Sequence, residues 1–158
     1  MALFESAPRI SPFLWFDDNA AAAVDFYCSV FPDARRLGEL RSPARDPLGR
    51  LAGRILTITF ELAGQRFTAL NGGPEFRFSP AVSFVVRCDS QQEVDEYWAR
   101  LSEGGSEGRC GWLQDRFGLS WQIVPARIGE LIAHHGGFAA MLTMTKLDIA
   151  ALERAAGA

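Results

Sequence analysis

One order of elements occurs twice along the 158 residues. A strand, a helix and a run of strands are followed by a strand, a helix and further strands. Each copy is about fifty to sixty residues, a size at which a lone core is marginal. Each must therefore cover one face of its sheet with its own helix and share the burden with a second copy.

In the first copy, residues 10–16 (ISPFLWF) read as a buried strand, and Asp17, Asp18 and Asn19 offer a helix cap. Residues 20–30 are strong helix formers, with Val24, Tyr27, Cys28 and Phe31 on one stripe. Pro32 and Asp33 stop that helix, and residues 34–40 form a short strand. Residues 41–49 carry Pro43, Pro47 and Gly49 and predict a loop. Residues 54–62 and 65–70 predict a hairpin turning at Ala63-Gly64, and Asn71-Gly72-Gly73-Pro74 closes the copy.

In the second copy, residues 81–88 predict a strand and Asp89-Ser90 caps a helix over residues 91–101. Residues 103–108 form a glycine-rich loop, which is where a missing strand would lie. Residues 111–115 and 120–124 predict two strands, and Pro125 ends the sheet. Short helices are expected over residues 126–133, 138–144 and 148–156. The expected layout is a single α+β domain with module 1 over about 8–74, module 2 over about 79–125 and C-terminal helices over 126–156. The modules share almost no identity, so the repeat is one of architecture, a paired βαβββ unit.

Composition narrows the function classes. The net charge is only −3, with both signs interspersed, and Lys146 is the only lysine. No basic stripe is present to neutralise phosphates, so nucleic acid is not an expected partner. No apolar run is long enough for a membrane span, and none opens the chain as a secretory signal would. Cys28, Cys88 and Cys110 are an odd, widely spaced set. They predict neither a disulfide framework nor a zinc knuckle, and a reduced cytoplasmic protein is the expectation.

Residues 19–27 (NAAAAVDFY) with Val30-Phe31-Pro32 resemble the first-helix signature of the vicinal-oxygen-chelate (glyoxalase/bleomycin-resistance) superfamily. Asp115-Arg116-Phe117-Gly118 followed by Trp121-Gln122-Ile123 is similar to its closing signature. The PhnB-like branch, often labelled 3-demethylubiquinone-9 3-methyltransferase-like, matches more closely. The residues that carry this are 12–16 (PFLWF), 67–74 (FTALNGGP), 82–85 (VSFV), 110–112 (CGW), 115–122 (DRFGLSWQ) and 141–144 (MLTM). The resemblance implies modules curled into a half-open cup, and a homodimer.

In metalloenzymes of this superfamily the ligands come from the first strand of each module and from the last strand. Carried over by spacing, these positions fall at Pro12 or Phe13, at Ala81 and at Gln122. Divalent metals need several converging carboxylates or imidazoles, and these residues supply none. His134 and His135 lie outside both modules and read as an exposed helix end. No metal or other cofactor is expected. The methyltransferase label finds no support in the glycines, because neither Gly72-Gly73 nor Gly104-Gly105 follows the first strand of a Rossmann-like sheet.

The expected ligand pocket holds Trp15, Asn71, Ser83, Trp112, Trp121 and Gln122. The tryptophans suit a planar or apolar ligand, or fill the core. Ser83 and Gln122 are polar on apolar strands and must bond either a ligand or their neighbours. Asn71-Gly72-Gly73 either turns backbone amides toward an anion or makes a tight turn. Phe76 and Phe78 form a lid or dimer contact, or pin a loop. Asp115 shapes its turn. Cys110 beside Arg109 is the best nucleophile by residue type, with inertness as the alternative.

The leading expectation is a metal-free dimer that binds a small molecule. The alternatives are an enzyme of the same fold, a lyase, isomerase or transferase using Cys110 or a group supplied by the substrate, and a structural or partner-binding dimer. The C-terminal helices, with Leu131, Ile132, Phe138, Met141, Leu142 and Met144, carry apolar surface that points to association.

Overall fold

In a computed structural model, residues 8–43, 49 and 52–157 are described. The chain divides into two compact units, residues 1–77 and 78–158.

The first unit holds β1 (Phe13–Phe16), α1 (Ala20–Val30), β2 (Arg35–Arg41), β3 (Ile55–Leu62) and β4 (Gln65–Asn71). Its sheet has the order β1-β4-β3-β2, with β1 parallel to β4 and the other pairs antiparallel. Residues 44–48 of the expected loop lie outside the described residues. Strand alternation sorts the side chains. Leu14, Phe16, Ile58, Phe60, Leu62, Phe67 and Ala69 are buried on one face. Tyr27 of α1 stacks on Phe60 with ring centroids 6.2 Å apart, and Phe60 stacks on Phe67 at 5.3 Å.

The start of α1 departs from the expected local cap. Asn19 makes no side-chain cap bond. The Ala20 amide instead donates to Asn71 Oδ1 at 2.9 Å, from the end of β4. A distant side chain thus satisfies one of the four amides that every helix start leaves without an internal partner.

The second unit holds β5 (Ser83–Cys88), α2 (Gln91–Ser102), β6 (Ser106–Glu107), β7 (Trp112–Gln114) and β8 (Ser120–Pro125), then α3 (Ile128–Ala133), α4 (His135–Thr143) and α5 (Ile149–Ala156). Its sheet order is β5-β8-β7-β6, with β5 parallel to β8. This repeats the connectivity of the first sheet. The glycine-rich loop does contain the fourth strand, the two-residue β6 on the edge. Trp98 of α2 donates its indole N–H to Glu107 Oε1 at 2.7 Å and holds that edge. Ser90 caps α2 by accepting from the Glu93 amide at 3.2 Å, while Glu93 Oε2 accepts from the Asp89 amide at 2.7 Å.

Leu131, Leu147 and Leu152 pack with Val124, flanked by Met141 and Met144. The C-terminal helices therefore bury much of their apolar surface in their own chain. This corrects the argument that they need a partner for it. Phe138 and Leu142 remain exposed. No helix among the described residues is long and apolar enough to cross a membrane.

Candidate functional site

Register decides which face each expected residue occupies. In the second sheet, Phe84 pairs with Trp121, and Trp121 with Leu113. These residues share a face with Cys88 and Ile123. Trp121, Leu113, Cys88 and Ile123 are buried, as are Val94, Trp98 and Leu101 of α2. Trp121 donates its indole N–H to Asp115 Oδ2 at 2.9 Å. It is core, and the expectation that it shares a pocket with Trp112 is corrected by strand parity.

The opposite face carries Ser83, Val85, Trp112, Gln114, Ser120 and Gln122. Trp112 lies directly across from Gln122, and Val85 flanks Gln122 on the other side. Val85 is 54% exposed, so this part of the face is open. Gln122 Nε2 donates to Ser83 Oγ at 2.9 Å. That bond leaves the Gln122 carbonyl oxygen as an acceptor and the Ser83 hydroxyl as a donor.

Beside Trp112 is a cavity of about 260 Å³, bounded by Pro80, Ser106, Gln114 and Ser120 among others. Ser120 is 1% exposed, and its Oγ has no hydrogen-bond partner. Such a buried hydroxyl costs about 1–3 kcal/mol if it stays unpaired. Sequence reasoning missed Ser120. The signal was present in Ser120-Trp121-Gln122, since residues two apart on a strand share a face.

In the first unit, Trp15 lies on the face opposite α1. It donates its indole N–H to Gly73 O at 2.9 Å and meets Phe76 edge-on with ring centroids 4.9 Å apart. Asn71 is 7% exposed, and both ends of its amide are engaged, the second donating to Ile55 O at 3.0 Å. The Gly72 and Gly73 amides donate to Phe16 O at 2.8 Å and Asp17 O at 2.9 Å. The tight-turn reading of this segment is the one realised. Asn71 joins strand to helix, and the Gly72 and Gly73 amides are both taken.

Cys110 is half-buried and holds φ at +58°, a left-handed conformation unusual for a residue with a Cβ. Its neighbour Arg109 is engaged elsewhere, donating Nη2 to Leu142 O at 2.9 Å. Asp115 Oδ1 accepts from the Phe117 and Leu119 amides at 2.8 and 3.1 Å, so the carboxylate builds its turn. His134 and His135 are exposed.

The residues do not fit the superfamily's metal. Pro12, Phe13 and Ala81 offer no side-chain donor, and the Gln122 amide is bonded to Ser83. Among the described residues, no three His, Cys, Asp or Glu side chains form a group that could hold a metal ion. The methyl-donor nucleotide of a methyltransferase does not fit the glycines either. The Gly72, Gly73 and Gly105 amides all bond to backbone carbonyls.

Comparison with known proteins agrees with this architecture. The PhnB protein from Bacillus cereus is 30% identical, over 74% of this chain and 99% of that one, with a TM-score of 0.66. A protein from Pseudomonas aeruginosa is 20% identical, over 75% and 98% of the two chains, with a TM-score of 0.61. The fosfomycin resistance protein FosX from Listeria monocytogenes is 20% identical, over 79% and 96%, with a TM-score of 0.52. The last two likenesses show the fold alone. No curated protein matches the chain. Residues 8–124 match the family model described as 3-demethylubiquinone-9 3-methyltransferase, and the chain belongs to this PhnB-like family of the glyoxalase/bleomycin-resistance fold.

Proposed function

We propose that the protein binds a small organic molecule, without a metal, on the open face of β5, β8 and β7. The observation that carries this reading is the buried, unpartnered Ser120 hydroxyl bounding the cavity beside Trp112. A ligand with a planar apolar body would lie against the Trp112 indole. Its polar edge would meet Ser120 Oγ, the Gln122 carbonyl oxygen and the Ser83 hydroxyl. Few polar groups set among apolar ones is the usual make-up of a small-molecule site.

The same reading includes a homodimer. Phe138 and Leu142 on α4 are 46% and 44% exposed, and Val82 and Val85 are more so. Exposed apolar side chains of this size favour association, and two-fold symmetry is its commonest form.

Native mass spectrometry of the protein purified from its own host, paired with elemental analysis, tests the proposal. The expected result is a retained organic molecule that Trp112→Ala loses, with substoichiometric metal. A stoichiometric divalent metal whose chelation abolishes ligand retention overturns it. Sedimentation equilibrium over a wide dilution range tests the dimer, and a fully stable monomer at micromolar concentration would exclude it.

A further inference from the structure

Among the described residues, the first unit carries a guanidinium whose Nε has no acceptor. Arg66 lies on β4, on the face opposite α1, directly across from Glu61. It is half-buried, and its Nε is buried without a hydrogen-bond partner. Glu61 does not serve it. Its Oε1 is taken by Arg35, whose Nη2 stands 2.8 Å from that oxygen and whose Nε donates to it at 3.0 Å. The row Arg35, Glu61, Arg66 therefore keeps one net positive charge. A partly desolvated guanidinium is costly unless paired, so an orphan of this kind calls for an acceptor from outside.

The surroundings indicate what such an acceptor is attached to. Thr68 follows two residues along β4 on the same face, directly across from Thr59, and Leu70 follows Thr68, across from Thr57. The three threonines are buried, at 5–8% exposed, and floor this face. On the neighbouring strand Phe13 pairs with Thr68, and Trp15 with Leu70. Phe13 is 57% exposed. The face thus runs from a cation at Arg66 to an apolar end at Leu70 and Trp15. Residues four apart on a strand are separated by about 13 Å, the reach of a small organic molecule.

We propose that this face binds a small organic oxyanion. Its carboxylate or phosphoryl head is held by Arg66, and its apolar body extends toward Phe13, Leu70 and Trp15. Guanidinium N–H groups match carboxylate and phosphoryl oxygens in pairs, which gives the head its orientation. This site lies in the other unit from the cavity beside Trp112, and it stands or falls independently of that cavity.

The test is NMR of the Arg66 Nε–H resonance in the full chain, assigned by its absence in Arg66→Lys. The probes are benzoate, phenylphosphonate, acetate, inorganic phosphate and neutral benzamide at constant ionic strength. A saturable downfield shift with benzoate or phenylphosphonate is expected. Acetate and inorganic phosphate should bind at least several-fold more weakly, and benzamide should cause no shift. Preference between the two aromatic probes distinguishes a carboxylate from a phosphoryl head. Isothermal titration should find binding lost in Arg66→Gln and weakened in Thr68→Val. Should Arg66→Gln not fold, the wild-type resonance and Thr68→Val decide alone. No response, an equal response to every salt, or binding that leaves the Arg66 resonance unmoved overturns the proposal.

Discussion

Trp121 donates its indole N–H to the Asp115 carboxylate at 2.9 Å beneath α2, while Gln122, the next residue, faces the opposite side of the sheet. Asp115 is 2% exposed and accepts from two backbone amides as well. Asp115→Ala leaves three donors without their acceptor. The expected loss is about 2–4 kcal/mol of unfolding free energy, because each unmet buried donor costs about 1–3 kcal/mol and part of the loop can reach water. Urea denaturation measures it. A change below about 0.5 kcal/mol would show that the turn does not depend on this carboxylate.

A second prediction concerns the hairpin between β3 and β4. Ala63 and Gly64 hold φ at +46° and +79° between the paired residues Leu62 and Gln65. Two positive values in a two-residue loop define the turn that favours Asn-Gly. Alanine pays a steric cost there that asparagine largely avoids. Ala63→Asn is expected to raise stability by about 0.5–1 kcal/mol on that account. Thermal unfolding with an unchanged or lower midpoint would count against it.

The third prediction is a pH dependence. Burial, with smaller contributions from Glu93 and Asp89, pushes the Cys88 thiol up to about 12 from an ordinary 9.0. Above pH 9 the unfolded thiol loses its proton while the folded one keeps it. The unfolded state then binds fewer protons, and stability falls as pH rises from about 9 toward 12. Cys28 is shifted in the same direction, by burial first and then by Asp25. Urea midpoints compared between wild type and Cys88→Ala should show the wild-type advantage shrinking above pH 9. A constant difference from pH 7 to 10.5 would mean that Cys88 does not titrate as described.

The sequence was most informative where the signal is local. The helix over residues 20–30, the hairpin turn and the order of elements follow from periodicity and turn chemistry within short windows. The faces were harder. Trp112 and Trp121 look equivalent in the sequence, yet Trp121 pairs with Leu113, so the two indoles lie on opposite faces. Parity across strands depends on register, which is set by pairing over long separations. The same holds for Asn71, whose role at the start of α1 spans 51 residues. The alternation in residues 57–62 (TITFEL) did carry the threonine-floored face, because it places Thr57, Thr59 and Glu61 opposite Ile58, Phe60 and Leu62.

The last prediction tests how Trp15 is held. Gly72 lies against its indole so closely that a Cβ on Gly72 would stand 2.3 Å from a ring carbon. The ring cannot move away freely, because its N–H donates to Gly73 O and Phe76 packs edge-on against it. Gly72 itself is fixed by its amide bond to Phe16 O at 2.8 Å. Gly72→Ala must therefore push the indole out, break its hydrogen bond or shift the end of β4. Overpacking of this kind costs about 1–3 kcal/mol. The displaced indole should also change its fluorescence maximum, read in a protein whose other tryptophans have been replaced by phenylalanine. Gly73→Ala is the control. Gly73 holds φ at +95°, so its substitution strains the backbone itself. A Gly72→Ala protein with wild-type stability and an unmoved Trp15 emission would show that the indole is free to swing, and that this end of the face is not rigid.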